Sequence, residues 1–429
     1  GGGDDGAAAA ATGSGGGEGR TLLLNPRVAS MQESSTAAIT DLAADLRRRG
    51  KPVISLSVGE PDTPTPPPVV MAAVKAMTDG HTKYTPVAGI HSLREAICRK
   101  LERDNGVCYA PSQVVVSNGA KQSLVQVILS LSMPGDEVII PVPSWVSYTE
   151  MCVLAGSKPV TVETTVEEGY VLTPEALSSA ITPRTKMLVL CSPCNPTGVV
   201  YTRAQLEALA DVLRKEANQN IYVISDEIYE HILYEGATHT SFASLEGMQE
   251  RTVIINGFSK AFAMTGFRVG YLAAPARIAA VCAKLQGQMT SCACSVSQHA
   301  AVAALGMGLA SVSAMVSELK GKRQLVLDAL QKCDKVVLGP PPQGAFYVLP
   351  VISAYFGFST PDNKVIDNSS SFCMHLLSDY CVALVPGSAF SAPGAVRISY
   401  ATDTASLNKA LEGFAKCLAA LKPPTSSTL

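Results

Sequence analysis

Two basic side chains lie close together in the stretch FSKAFAMTGFRVGY, residues 258–271, which contains no acidic residue. Lys260 follows a serine, Arg268 comes eight positions later, and most of the other residues are apolar. Such a stretch is expected to be largely buried, and a buried cation without a counter-charge is costly in free energy. We therefore predict that a phosphate supplies the negative charge near Arg268.

Polar side chains follow five β-rich runs of the chain, at the point where each run ends. Continuous Val, Ile and Leu residues in these runs are typical of parallel strands buried on both faces. Helical stretches separate several of the runs, so the pattern predicts an α/β fold with crossover helices. Ligands bind beyond the carboxyl ends of such strands. The polar groups expected at that edge are Asn118–Lys121, Ser144–Trp145, Asn195–Gly198, Asp226–Tyr229 and Gly257–Lys260.

Composition excludes several classes of partner. The chain has 429 residues, is 47% hydrophobic and carries a net charge of -2, so it predicts two domains with sizeable cores and no binding of nucleic acid or anionic membranes. Residues 285–317 contain no charged side chain, but they include many polar residues and no apolar run of about 20 residues, so we expect buried or interface helices. Twelve scattered cysteines indicate reduced thiols in an intracellular compartment rather than a disulfide framework.

The chain divides into four segments by pattern. Residues 1–20, rich in Gly and Ala, predict a disordered leader or linker. Residues 59–317 are expected to form the large α/β domain, and residues 318–429 a smaller α+β domain. Residues 21–58 are expected to join that smaller domain.

Six ordered motifs, namely GEPD, KYTPVAG, NPTG, SDEIY, SKAFAMTGFRVGY and VRISYA, resemble those of the class I aminotransferases of the fold-type I pyridoxal-phosphate enzymes. The resemblance covers roughly residues 25–420. More narrowly, the chain is similar to plastidial bifunctional aspartate and glutamate/aspartate–prephenate aminotransferases of plants and algae. This resemblance implies a mostly parallel sheet in the large domain, pyridoxal 5′-phosphate as cofactor, a homodimer with shared active sites, and a chloroplast location; without it, the location would be cytoplasmic.

The resemblance assigns cofactor roles to particular residues. Lys260 would attach the cofactor covalently, and Asp226 would face its ring nitrogen, although a strand-end Asp is otherwise a helix cap or turn residue. Tyr229 and Asn195 would bind the phenolic oxygen, and Trp145 would stack on the ring, although a single Trp is otherwise a core residue. Gly119 is also expected to bind the cofactor. Contacts to its phosphate would come from Ala120, Lys121, Ser259, Arg268 and, from the neighbouring subunit, Tyr84.

Gly257 departs from the family pattern. Many relatives carry a hydroxyl three residues before the lysine, where this chain has Gly257. One phosphate hydrogen bond is therefore expected to be missing or supplied by another group.

Substrate binding rests on fewer residues. The resemblance implies that Arg397 clamps the α-carboxylate, with Gly59, Trp145 and Asn195 beside it. Lys121 would bind a second carboxylate, although from sequence alone it is equally well a solvated helix residue. In the resembled group, prephenate use goes with this lysine and with a threonine that corresponds to Thr36, so prephenate is predicted as an amino acceptor.

Other interpretations remain beside this one. Cys191 and Cys194 form a CxxC motif, but no second ligand pair accompanies it, and the six histidines are dispersed, so no metal is predicted. The same fold hosts β-lyases and aminocyclopropane-carboxylate synthases. An aspartate aminotransferase without prephenate activity and a cofactor-binding regulatory protein are the further alternatives.

Overall fold

The computed structural model describes residues 24–31 and 37–424 and contains a central seven-stranded sheet. Its strands pair in the order β2-β8-β7-β6-β5-β3-β4, and only β8 runs antiparallel to its neighbours. The strands are β2 (Val114–Ser117), β3 (Glu137–Val142), β4 (Lys158–Glu163), β5 (Thr185–Cys191), β6 (Tyr222–Asp226), β7 (Thr252–Gly257) and β8 (Gly270–Ala273). The prediction of a mostly parallel sheet is confirmed.

Five of these strands correspond to the five β-rich runs of the sequence. Their residues are nearly all buried, as expected for strands that helices cover on both faces. The sequence analysis missed β4 and β8. Strand β4 lies at the edge of the sheet, and its alternating exposed residues lack the apolar run that revealed the others.

Thirteen α-helices surround the sheets in the described part of the chain. They are α1 (Pro26–Ser30), α2 (Ala37–Arg48), α3 (Pro67–Thr78), α4 (His91–Lys100), α5 (Ala120–Leu131), α6 (Ser147–Ala155), α7 (Pro174–Ala180), α8 (Arg203–Arg214), α9 (Ala276–Met289), α10 (Ser295–Gly306), α11 (Ala310–Leu330), α12 (Ser369–Tyr380) and α13 (Thr404–Ala420). Helix α8 begins with a capping box, in which Thr202 and Gln205 bond each other's backbone. Its stripe of Leu206, Leu209 and Leu213 is buried, as the 3.6-residue period predicts.

A second group of short strands lies outside the central sheet. Strands β9 (Tyr347–Val348), β11 (Val385–Pro386) and β12 (Val396–Ser399) form one antiparallel sheet. Strand β1 (Ile54–Ser55) pairs in parallel with β10 (Val382–Ala383), so the segment before residue 59 contacts the C-terminal part of the chain. The domain boundaries at 58 and 317 stay a prediction.

The uncharged stretch between Lys284 and Glu318 contains the end of α9, all of α10 and the start of α11. In the described part of the chain, no single helix has the length and hydropathy that a membrane crossing needs. Helices α10 and α11 reach that length and hydropathy only when taken together, and they are bent by 82° relative to each other.

A buried polar network anchors the segment that follows β6. The Lys100 ammonium forms an ion pair with Glu230, and Asn105 and Asn256 each donate an amide hydrogen to the same carboxylate. Burial alone would raise the pKa of Glu230, but Lys100 and two nearby histidines hold that pKa below its ordinary value. The interaction therefore stabilises the fold at neutral pH and loses its effect as the pH falls and Glu230 takes up a proton.

Lys100→Met is expected to destabilise the protein by about 3–5 kcal/mol, because Glu230 would be left as an unpaired buried charge. Urea unfolding of the cofactor-free protein measures this, and the difference from the unmodified chain should shrink in acid. Lys416→Met is the matched control, since the ammonium of Lys416 is largely exposed and lies 3.9 Å from Glu412. Adding Glu230→Gln to Lys100→Met should recover most of the loss. If Lys100→Met unfolds no more easily than Lys416→Met, the pair is not a stabilising element.

Candidate active site

The carboxyl ends of five strands open on one cavity of about 410 Å³. Strands β2, β3, β5, β6 and β7 run in the same direction, so the segments after them meet at one edge of the sheet. The structure brings most of the predicted site residues together there. Those that line the cavity are Gly59, Ala120, Lys121, Trp145, Asn195, Asp226, Tyr229, Ser259, Lys260, Arg268 and Arg397.

Lys260 follows β7, and its amine lies in the wall of the cavity. Its Nζ donates a hydrogen bond to the backbone carbonyl of Gly59. Burial, assisted by the nearby Arg397 cation, lowers the pKa of Lys260 to about 8. A substantial fraction of this amine is therefore neutral near physiological pH, which is the state in which an amine acts as a nucleophile or a base.

Asp226 is the last residue of β6 and is 4% exposed. Burial raises the pKa of its carboxyl to about 6, although hydrogen bonds from Tyr148 and from the Ile228 backbone oppose that shift. The phenol of Tyr148 lies 2.7 Å from Asp226 Oδ2. The carboxyl group is therefore mostly ionised at neutral pH and can pair with a cationic ligand atom.

Arg397, Asn195 and the Tyr229–Tyr347 pair form one side of the cavity. Arg397 donates to Asn195 Oδ1 at 3.1 Å and to the Ser57 carbonyl at 2.6 Å, and its guanidinium lies over the Tyr347 ring. The hydroxyls of Tyr229 and Tyr347 are 2.7 Å apart. The Nε atom of Arg397 is buried and has no hydrogen-bond partner among the described residues, so this guanidinium retains capacity for an anionic ligand.

Arg268 lies beside the N-terminus of α5. A Cβ atom at Gly119, whose φ is +85°, would lie 2.6 Å from Arg268 Nη2, so only glycine leaves room for the guanidinium there. At Gly270 a Cβ would lie 2.4 Å from the Ala120 amide nitrogen. Free amide groups at a helix N-terminus and a guanidinium fork are both suited to phosphate. The buried Ser259 hydroxyl lines the same cavity.

Lys121 and Trp145 are neighbours in the lining of the cavity. The Lys121 ammonium lies 4.9 Å from the centre of the Trp145 ring. Burial and the nearby Arg268 cation lower the pKa of Lys121. Trp145 also packs edge-on against Tyr148, with ring centres 5.5 Å apart. Trp145 therefore presents a ring fixed on two sides, as a stacking surface requires.

The charges that line the cavity do not balance. Lys121, Lys260, Arg268 and Arg397 are basic, whereas the acidic lining residues are Asp226 and the exposed Glu60. Within residues 24–31 and 37–424, no ion pair joins any of these four cations to a carboxylate. A site of this composition is suited to ligands that carry several negative charges.

Comparisons with known proteins agree with this geometry. The profile of the family "Aminotransferase class I and II" matches residues 51–414. The chain belongs to this family. A Petunia hybrida protein named bifunctional aspartate aminotransferase and glutamate/aspartate-prephenate aminotransferase is 49% identical over 94% of this chain and 84% of its own length. A Cereibacter sphaeroides aspartate/prephenate aminotransferase is 43% identical over 88% of this chain and 94% of its own length.

The crystal structure of an aspartate aminotransferase from Rhizobium meliloti superposes with a TM-score of 0.90 at 40% identity, covering 94% of this chain and all of the other. The Thermus thermophilus aspartate aminotransferase with maleate gives a TM-score of 0.86 at 41% identity, covering 92% of this chain and all of the other. The predicted fold-type I architecture is therefore confirmed. This aminotransferase is an enzyme that depends on pyridoxal 5′-phosphate.

The residues of the cavity fit that cofactor. Lys260 supplies a partly neutral amine, Asp226 an anion beside it, and Arg268 a guanidinium that no carboxylate pairs with among the described residues. Gly119 leaves room for the Arg268 guanidinium beside the first amides of α5, and both kinds of donor are suited to the cofactor's phosphate. The individual roles predicted for these residues stay predictions.

Glycines explain two details of the aminotransferase site. A Cβ at Gly59 would lie 2.9 Å from the Tyr347 hydroxyl, so a side chain there would displace one member of the tyrosine pair. At Gly257 a Cβ would lie 3.0 Å from Gly270 Cα, because β7 and β8 pair at this position. The missing hydroxyl at position 257 therefore accompanies a close approach of two strands.

Two described residues among the predicted site residues, Gly119 and Tyr84, do not line this cavity. Tyr84 is 90% exposed, so this chain does not bring it to its own site. Thr36 lies outside the described residues.

Sequence reasoning missed Tyr148, Tyr347 and Glu60, which also line the cavity. Tyr148 comes three residues after Trp145, so it lies in the first turn of α6 while Trp145 lies just before that helix; this spacing is the only sequence signal for it. Glu60 accepts a hydrogen bond from Thr265 at 2.8 Å and so joins the GEPD segment to the segment after Lys260. Tyr347, in GAFYVLP, has no comparable signal, because its contacts come from distant parts of the chain.

Two clusters contain side chains of the types that bind metal ions. Cys191 lines the cavity and is a free thiol, as is Cys194. Glu227, Glu230 and His239, which the sequence analysis did not single out, offer ligand atoms within 4.8 Å of one another. Lys100 already forms an ion pair with Glu230, and Ser225 and Ser241 donate to Glu227, so these carboxylates serve the buried network.

Proposed function

We propose that this aminotransferase transfers the amino group of aspartate or glutamate to 2-oxo acids that carry a second carboxylate, including 2-oxoglutarate and prephenate, the latter giving arogenate. The observation that carries the proposal is the presence of two further cations, Arg397 and Lys121, beside the predicted phosphate-binding Arg268. Each can bind one carboxylate of a dicarboxylic substrate. The printed names of the Petunia and Cereibacter relatives, which include both aspartate and prephenate, support this choice.

Each of these residues has a different role in the amino transfer. Pyridoxal phosphate, when bound, supplies an electrophilic carbon and an electron-poor ring that stabilises charge at the substrate α-carbon. Arg397 and Asn195 hold the α-carboxylate and fix the orientation of the α-hydrogen. The Lys260 amine removes that proton as general base and returns a proton as general acid, a role for which its pKa of about 8 is suitable. Asp226 provides the anion for the ring nitrogen.

The test is an assay with aspartate as donor and either prephenate or 2-oxoglutarate as acceptor, with arogenate and glutamate measured as the products. Transfer to both acceptors is expected, in ping-pong kinetics. Lys260→Ala is expected to abolish both activities, whereas Lys215→Ala, which changes an exposed lysine after α8, should leave them unchanged. Transfer to 2-oxoglutarate alone would leave an aspartate aminotransferase, and release of pyruvate and ammonia would reveal a lyase.

Lys121→Ala is expected to lower kcat/KM for aspartate and prephenate by about ten- to a hundredfold, because a hydrogen bond to a charged group is lost. Alanine and pyruvate, which have no second carboxylate, should be affected little. Lys121→Arg keeps the cation and should retain most of the activity. Steady-state kinetics with both substrate classes measure the effect. Equal losses of kcat/KM for aspartate and alanine would show that Lys121 does not bind the second carboxylate.

We propose further that two copies of the chain form a homodimer with shared sites. On α3 the side chains of Val70, Met71, Val74 and Met77 are apolar and exposed, at spacings that place them on one helix face. Tyr84 follows the same helix and is almost fully exposed. A second copy is suited to cover this face and to receive Tyr84 in its own phosphate site.

Complementation tests the shared site. Lys260→Ala and Tyr84→Ala should each be nearly inactive alone, and mixing them after mild dissociation should recover part of the activity, because one site of the mixed dimer contains both native residues. Sedimentation velocity should show a species of two chains. A single-chain species with full activity would contradict the proposal.

The plastid location remains a prediction that rests on the resemblance. A fluorescent fusion of the complete gene product in plant cells tests it, and fluorescence outside plastids would overturn it. The contribution of Thr36 to prephenate use is likewise a prediction.

A further inference from the structure

Tyr148 contacts two residues of the site at once, and neither the motifs nor the relatives' names assign it a role. Its hydroxyl donates to Asp226 Oδ2 at 2.7 Å, and its ring meets the Trp145 ring edge-on. The side chain is 2% exposed. It therefore bonds the residue predicted to face the cofactor's ring nitrogen and packs against the residue predicted to stack on the same ring.

The local structure holds Tyr148 in this position. It lies in the first turn of α6, and its backbone amide donates to the Trp145 carbonyl at 3.1 Å. The two rings therefore belong to one tight turn that follows β3. Strand β3 is separated from β6 by β5 in the sheet, so the phenol reaches Asp226 across the end of β5.

Each carboxylate oxygen of Asp226 accepts one hydrogen bond from the surrounding protein. Oδ2 accepts from Tyr148, and Oδ1 accepts from the Ile228 amide at 3.3 Å. A carboxylate oxygen has two lone pairs, so each oxygen keeps capacity for another donor. With a donor on each oxygen, the carboxyl plane is fixed, and the remaining lone pairs face in set directions.

We propose that Tyr148 is a positioning residue that keeps the Asp226 carboxylate ionised and oriented toward the ring nitrogen of the cofactor. The inference rests on the proposed function, since it takes Asp226 as the partner of that nitrogen. A phenylalanine would fill the same space and keep the contact with Trp145. The specific effect of the hydroxyl is therefore to favour the ionised form of Asp226 and to fix the orientation of its carboxylate.

Several groups face the Asp226 carboxyl from the surrounding elements. Tyr148 approaches from α6, Cys191 and Cys194 from the end of β5 and beyond, Glu227 from the next position, and Lys260 from the segment after β7. Burial raises the pKa of Asp226 to about 6; Tyr148 and Lys260 lower that pKa, whereas Glu227 raises it. Because a hydrogen bond to the charged form lowers an acid's pKa, removing the Tyr148 hydroxyl raises the pKa of Asp226.

The experiment measures cofactor binding to the cofactor-free full chain between pH 6 and pH 8.5. Trp145 is the only tryptophan and lines the cavity, so its fluorescence reports binding directly. We compare the unmodified chain with Tyr148→Phe and with Tyr201→Phe. The control removes another buried hydroxyl, one that accepts from the Leu172 amide outside this cavity.

Tyr148→Phe is expected to weaken binding more at pH 6 than at pH 8.5, by up to about tenfold for each unit by which the pKa of Asp226 rises. The free cofactor titrates in the same way whichever variant is tested. The ratio of the variant's dissociation constant to that of the unmodified chain therefore reports the contribution of the protein's groups. Tyr201→Phe should show a ratio that does not vary with pH. A pH-independent loss with Tyr148→Phe, or no loss, would overturn the proposal.

A cofactor analogue with a carbon in place of the ring nitrogen gives a second readout. Tyr148→Phe should bind this analogue as well as the unmodified chain does, because Asp226 then has no donor to meet. Asp226→Asn is a second variant for the case that Tyr148→Phe folds poorly. Asparagine does not titrate, so cofactor binding to this variant should lack the pH dependence that the Asp226 carboxyl contributes. Failure of the unmodified chain to transfer an amino group would refute the proposed function and leave the Tyr148 result standing.

Discussion

Uncompensated positive charge in a desolvated cavity is the constraint on which this site depends. Lys121, Lys260, Arg268 and Arg397 line one cavity, and within the described residues none of them is ion-paired with a carboxylate. Burial and repulsion from the neighbouring arginines lower the pKa of both lysines, so their protonated forms are less favourable here than in water. The chain therefore holds a region that is electrostatically incomplete without anionic ligands. The rest of the fold must keep these groups in place.

Rigidity behind the cavity comes from a polar network rather than from apolar packing alone. Asp226 and Tyr229 face the cavity, whereas Glu227 and Glu230, from the same segment, enter a buried network with Lys100, Asn105, Asn256 and two serines. Both carboxylates there have several donors, as buried charges require. One short segment thus presents titratable groups to the ligand on one face and is anchored through charges on the other.

Sequence reasoning could predict what local pattern and strand direction determine. Apolar runs revealed five strands, and the shared direction of parallel strands placed Asn195, Asp226 and Lys260 at one edge. It could not find Tyr148, whose partner Asp226 is 78 positions away, or Tyr347, whose partner Tyr229 is 118 positions away. Nor could it identify Glu227 and Glu230 as buried, because a charged residue in a loop is normally exposed. These features depend on which elements become neighbours, which no local period encodes.

Burial brings the pKa values of the acid and the base of this site closer together. The same loss of solvent raises the pKa of Asp226 to about 6 and lowers that of Lys260 to about 8, so both groups can change charge near neutrality. Neither could do so on the surface, where an aspartate stays charged near pH 7 and a lysine stays protonated. In the predicted arrangement, a cationic ring nitrogen would favour the charged form of Asp226, and a phosphate would offset the Arg268 cation. Bound cofactor would then supply the counter-charges that this edge of the sheet lacks, which would couple cofactor affinity to the positions of these buried groups.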